Sequence, residues 1–106
     1  MTARNKQRGY ELERETVLHW QSKGLKCERT FASGAHKVAL GEMHAGDIRL
    51  EGFMVEAKRK KSGFKFLYDA MAQDDADIVV VKQDRHQRIY ILREETLEKL
   101  LKGEGA

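Results

Sequence analysis

Gly46-Asp47-Ile48-Arg49-Leu50-Glu51-Gly52-Phe53-Met54-Val55-Glu56-Ala57-Lys58 is the stretch around which the chain is organised. Before Gly52, Ile48 and Leu50 alternate with Asp47, Arg49 and Glu51, the period of a half-buried strand. Gly52 supplies the positive-φ residue of a tight turn. Beyond it, Phe53, Val55 and Ala57 fall on one side of a second strand, and Met54, Glu56 and Lys58 on the other. Glu56 and Lys58 therefore leave the strand in the same direction, with Asp47 across the hairpin from them.

Carboxylates that converge repel each other unless a cation lies between them. Oxygen donors of this kind suit Mg²⁺, which keeps several waters and takes one or two protein carboxylates. A lysine beside such an ion orients a water or offsets charge developing on a phosphate. The bland alternative is a solvated hairpin whose polar side happens to carry acids and a lysine, an ordinary outcome in a chain that is 35% charged.

These residues resemble the PD-(D/E)xK nuclease pattern, with Asp47 as the first acid and Glu56-Ala57-Lys58 as the E-x-K. Gly46 stands where the pattern has proline, a position without chemistry. The resemblance implies a restriction-endonuclease-like α/β core, a mixed β-sheet flanked by helices.

The 106 residues suit one small domain, and 41% hydrophobic content is enough for a packed core. A net charge of +3 is compatible with a polyanionic partner without demanding one. Cys27 is the single cysteine, which excludes an internal disulfide and a zinc cluster; a structural thiol is the expectation. No apolar run is long enough for a membrane span or a signal peptide, so an intracellular, cytoplasmic protein is expected. The absence of proline has no evident physical cause.

Residues 1–8 carry Arg4, Lys6 and Arg8 without an acid, and read as a flexible basic arm able to contact phosphates. From Gly9 to Lys23 the spacing predicts a helix stopped by Gly24. Tyr10, Leu12, Thr16, Val17 and Trp20 share a broad face, and Glu13 falls near its middle. A carboxylate there needs a partner: a metal, a lysine reached across the core edge, or water at the helix end.

Arg8-Gly9-Tyr10-Glu11-Leu12-Glu13-Arg14-Glu15 resembles the opening helix of the archaeal Holliday-junction resolvase family and its phage relatives. The first acid of that family's E-R-E run is a metal-site residue, and it matches Glu13. The resemblance covers roughly residues 8–58. It implies a Mg²⁺ site (Mn²⁺ substituting) on Glu13, Asp47, Glu56 and the Ala57 carbonyl, with Lys58 positioning the water. It also places Ser33, by position in a polar loop, near the scissile phosphate; a plain flexible loop is the competing reading. His44 reads as a surface histidine, with a second general base or a phosphate contact as the alternative.

Five of the eight residues from Lys58 to Lys65 are basic: Lys58, Arg59, Lys60, Lys61 and Lys65. The run starts at the end of the candidate strand, which favours phosphate contact over a merely solvated face. Phe64, Leu67, Tyr68 and Met71 then mark an amphipathic helix whose apolar stripe reads as core packing, with Gln73 near its end. Asp74, Asp75 and Asp77 read as a loop. Ile78-Val79-Val80-Val81 reads as a strand buried on both faces, Ile89–Leu92 as its return, and Glu94–Lys102 as a closing helix stopped by Gly103.

The expected order is α-β-β-β-α-β-β-α, and the expected function a Mg²⁺-dependent endonuclease resolving four-way DNA junctions in recombination. A nicking or repair nuclease of the same fold, and an inactive DNA-binding module, are the alternatives. The two-fold symmetry of a junction implies a homodimer, with its contact expected at Ile89–Leu92 and around Leu97, Leu100 and Leu101.

Overall fold

A computed structural model describes the backbone of residues 3–30 and 47–104 and the side chains of residues 9–30 and 48–104. Among the described residues the elements run in the expected order: α1 (Ala3–Ser22), β1 (Cys27–Thr30), β2 (Asp47–Leu50), β3 (Phe53–Val55), α2 (Lys65–Gln73), β4 (Ile78–Val81), β5 (Ile89–Leu92) and α3 (Glu94–Leu101). The protein is thus mixed α/β, and the chain divides into two compact units, Met1–Arg59 and Lys60–Ala106.

In the first unit, α1 begins at Ala3, six residues before the expected start at Gly9. The backbone of residues 3–8 is therefore helical, where a flexible arm was expected. Ala, Arg, Lys and Gln are good helix formers, and one interior glycine costs only about 1 kcal/mol. The C-terminus is as expected: Gly24 has φ +80, and its N–H and that of Leu25 reach back to the Gln21 and Trp20 carbonyls.

β1, β2 and β3 form an antiparallel sheet in that order. Cys27 pairs with Leu50 and Arg29 with Ile48, while Ile48 also faces Val55. Strand alternation then puts Cys27, Arg29, Ile48 and Leu50 on one face, and α1 packs against it. Val17, Trp20, Cys27, Ile48 and Leu50 are buried there, Ile48 completely. Glu51 and Gly52 both have positive φ, a two-residue turn whose twist matches the strands it joins. Lys26 anchors that turn: its carbonyl accepts from the Glu51 N–H, and its own N–H donates to the Glu51 carboxylate.

In the second unit, β4 and β5 pair antiparallel, Ile78 against Leu92 and Val80 against Tyr90. Among the described residues the strands thus make two small antiparallel sheets, where one mixed sheet was expected. The expectation that β4 is buried on both faces also fails. Val79 and Val81 are half-buried, but Ile78 and Val80 are 47% and 50% exposed. A continuous β-branched run favours a strand but cannot by itself supply a second covering layer. α2 packs on β4.

Arg93, just before α3, holds this unit's central turn. Its guanidinium donates to the carbonyls of Ala76 (2.6 Å) and Met71 (2.9 Å) and meets the exposed Asp75 carboxylate at 3.3 Å. Its own N–H donates to the Asp77 carbonyl. The guanidinium thus ties the last turn of α2, whose Met71 carbonyl also accepts from the Ala76 N–H, to the loop that leads into β4. α3 opens with Glu94 and Glu95 in its first turn, carries a Glu98–Lys102 pair near its end, and is closed by Gly103 at φ +74.

Candidate active site

The hairpin brings part of the expected constellation together. Asp47 is the first residue of β2 and pairs with Thr30. The register Ile48–Val55, continued by one residue, sets Asp47 beside Glu56. The Asp47 side chain lies outside the described residues. β3 ends at Val55, so Glu56, Ala57 and Lys58 follow it as irregular chain. The Lys58 ammonium lies 3.4 Å from the Glu56 carboxylate, and both side chains are more than half exposed. So open a pair contributes little to stability. Its carboxylate stays accessible to an ion, and its ammonium to a phosphate.

Glu13 is placed differently. It occupies the apolar face of α1, as its position in the helix demands, and its partner is Arg29 at 3.2 Å. The guanidinium also lies over the Tyr10 ring, 4.3 Å from its centroid. Both partners of the ion pair are largely buried, with 12% of the Glu13 and 15% of the Arg29 side chain exposed. The core-edge cation that the sequence required is thus an arginine, from the strand beneath the helix. The signal for it was present: Arg29 has the same strand parity as Cys27, and so must share the core face.

In donor type, Asp47, Glu56 and Glu13 suit a hard, oxygen-ligated cation. Among the described residues, however, no three His, Cys, Asp or Glu side chains gather as metal donors. Glu13 would have to share its carboxylate with Arg29 to take part.

Arg59, the next cation after Lys58, forms an ion pair with Glu11 on α1 at 3.3 Å, which ties the chain beyond β3 to the helix. Its charge is therefore partly spent within the protein. No family model, curated protein or solved structure matches this chain. Ser33, His44 and the side chains of Arg4, Lys6 and Arg8 lie outside the described residues.

The second unit carries the remaining lysines of the basic run. Lys60, Lys61 and Lys65 line a hollow of about 370 Å³ together with Phe64 and Tyr68. The Lys60 ammonium lies 5.4 Å from the centre of the Phe64 ring. Lys65 is held by Asp69 one turn along α2, at 2.6 Å. The sequence pattern favours phosphate contact for these lysines and the core for Phe64 and Tyr68. Tyr68 is instead 73% exposed. The helical stripe it belongs to is broader than the one strand α2 covers, so its outer edge meets solvent.

Cys27 is buried, and desolvation pushes its thiol above the ordinary value, with the neighbouring Glu28 charge adding to the rise. It is a core residue without nucleophilic character.

Proposed function

We propose that this chain is a divalent-metal-dependent endonuclease acting on branched DNA, four-way junctions in particular, built on a restriction-endonuclease-like core. The observation that carries the proposal is the hairpin register. It aligns Asp47 with Glu56 at the end of the sheet, with Lys58 3.4 Å from the Glu56 carboxylate and open to solvent. The basic run through Lys65 follows directly in the chain.

Asp47, Glu56 and the Ala57 carbonyl would hold Mg²⁺ or Mn²⁺, with Glu13 as a further ligand. The ion would supply Lewis acidity at the phosphate and a more acidic bound water. Lys58 then orients the attacking water or donates to the phosphoryl oxygen on which charge develops. Lys60, Lys61 and the basic residues of α1 carry the phosphate backbone. Ser33 is the candidate contact at the scissile phosphate. Exposed apolar residues at Ile89, Tyr90 and Leu100 support a homodimer that would match the symmetry of a junction. A DNA-binding module without cleavage is the second reading, favoured by the engagement of Glu13 with Arg29.

The test incubates labelled four-way junction, nicked duplex and linear duplex with Mg²⁺ and then with EDTA. Junction cutting should be lost in EDTA and in Glu56→Gln, Asp47→Asn and Lys58→Ala. Junction affinity should stay within a few-fold, because removing carboxylate charge does not hinder phosphate approach. Cleavage by Glu56→Gln at the full rate would refute the site. Cutting of linear duplex as fast as junction would favour a nicking nuclease of the same fold.

A further inference from the structure

We propose that the hollow at the start of α2 holds one unpaired nucleotide, its base stacked on Tyr68 and its phosphate on Lys60 and Lys61. The proposal rests on the DNA reading above and deepens it, by naming the feature of the nucleic acid that this unit recognises. At about 370 Å³ the hollow lies at the small end of ligand sites. It is too small for a duplex to enter and is open enough for a base to reach.

The lining divides by chemistry. Phe64 and Tyr68 lie one helical turn apart, so they stand on the same side of the helix start. Phe64 is half-buried, and the Lys60 ammonium lies over its ring. The Tyr68 ring, 73% exposed, is open for stacking. An aromatic ring this exposed loses apolar burial for no gain within the fold, whereas a stacked base would cover it.

The cations differ in the same way. Lys65 is neutralised by Asp69. For Lys60 and Lys61 no acidic partner occurs among the described residues, which leaves two positive charges beside an aromatic ring. Backbone charge next to a stacking platform is the combination by which proteins hold unpaired strands.

Gly63 fixes the arrangement. It has φ +112, and a Cβ there would lie 3.0 Å from the Lys60 ammonium. A side chain at this position would strain the backbone, and the Lys60 ammonium would have to shift by a few tenths of an ångström.

The experiment measures binding of the full chain in EDTA, so that no strand is cut, to a short labelled unpaired strand and to the same strand fully paired. Tyr68→Ala should weaken binding of the unpaired strand roughly tenfold and leave the duplex unchanged. Tyr68→Phe should keep wild-type affinity, since the ring face remains. Lys60→Gln should flatten the dependence of log affinity on log salt by about one for the unpaired strand. Tyr68 is exposed enough that its removal should leave the melting temperature unchanged, and an unchanged melt validates the comparison.

Equal weakening of both DNAs by Tyr68→Ala, or none, would overturn the proposal. So would a wild-type chain that does not bind the unpaired strand. The two readings fail separately. Tyr68-dependent binding without any cleavage would remove the nuclease and keep the hollow. Junction cleavage with Tyr68→Ala behaving as wild type would do the reverse.

Discussion

In the Met1–Arg59 unit, a helix covers one face of a three-stranded sheet and removes Val17, Trp20, Cys27, Ile48 and Leu50 from water. In the Lys60–Ala106 unit, no described side chain is fully buried, and Ile78, Val80, Ile89 and Tyr90 are all exposed by about half or more. One unit is organised by apolar packing. The other is organised by polar ties, of which the Arg93 guanidinium is the chief. The difference follows from element count. A two-stranded hairpin is marginal in water until something packs on it, and α2 covers only the Val79 and Val81 side of β4. Rigid placement of side chains is therefore available at the β2–β3 hairpin, where the candidate chemistry lies. The second unit instead leaves aromatic rings such as Tyr68 and Tyr90 open to solvent.

The largest expected effect tests this contrast directly. Ile48 is completely buried between the sheet and α1, so Ile48→Ala should cost about 3–4 kcal/mol of unfolding free energy. Val79 is only half-buried, and Val79→Ala should cost about 1 kcal/mol. Urea unfolding of both variants gives the ratio. Equal costs would mean that the second unit has a core as tightly packed as the first. Amide exchange sharpens the point: the Ile48 and Leu50 amides should be slower to exchange than those of Val79 and Ile91.

Much of this contrast could be read from the sequence, and the failures have causes. The order of elements was legible because period-two and period-3.6 patterns are local. The Gly24, Gly52 and Gly103 stops were legible because positive φ selects for glycine. Sheet membership was not, since pairing is long-range and β4 offers the same apolar run to a buried or an open layer. The helix start at Ala3 was missed because a run of cations suggested solvation, while propensity favoured helix. At the site, the backbone register of the hairpin, continued one residue past the end of β3, sets Asp47 beside Glu56. Glu13 needed a partner for equally sound reasons, but pattern alone could not choose between a metal and Arg29. Tyr68 was misread as core because periodicity gives a stripe and not its covered width.

The next effect compares the two arginines that serve the two units. Arg93→Ala removes charged donors from the Met71 and Ala76 carbonyls and should cost about 2–3 kcal/mol. It should also speed exchange of the Ala76 and Arg93 amides, which close the same turn. Arg29→Ala takes away the guanidinium that faces Glu13. Breaking a fully buried pair costs about 3–5 kcal/mol, and because this one keeps some exposure, about 2 kcal/mol is expected. The double variant Glu13→Gln with Arg29→Met should recover much of that loss, since it removes both charges from the core face. Failure of the double variant to recover stability would show that Glu13 serves the fold through more than its arginine. Unimpaired cleavage by a well-folded Glu13→Gln would remove Glu13 from the proposed metal site.

The smallest effect is in the pH dependence of the packed unit. The Cys27 thiol is pushed above its ordinary value of 9.0, first by burial and then by Glu28. The folded protein therefore holds its thiol proton to higher pH than the unfolded chain does. Well below pH 9 neither form is ionised, and Cys27 contributes no slope. As the pH rises through that value the unfolded chain ionises first, so stability declines until the folded thiol also titrates. Cys27→Ala should remove this share of the alkaline decline, at the cost of a uniform loss from the smaller side chain. Thiol labelling gives a parallel readout: native protein at neutral pH should react slowly, and urea-unfolded protein at the rate of a free cysteine. Rapid labelling of the native state would mean that the face between α1 and the sheet opens readily. The contrast between a packed first unit and an open second one would then have to be withdrawn.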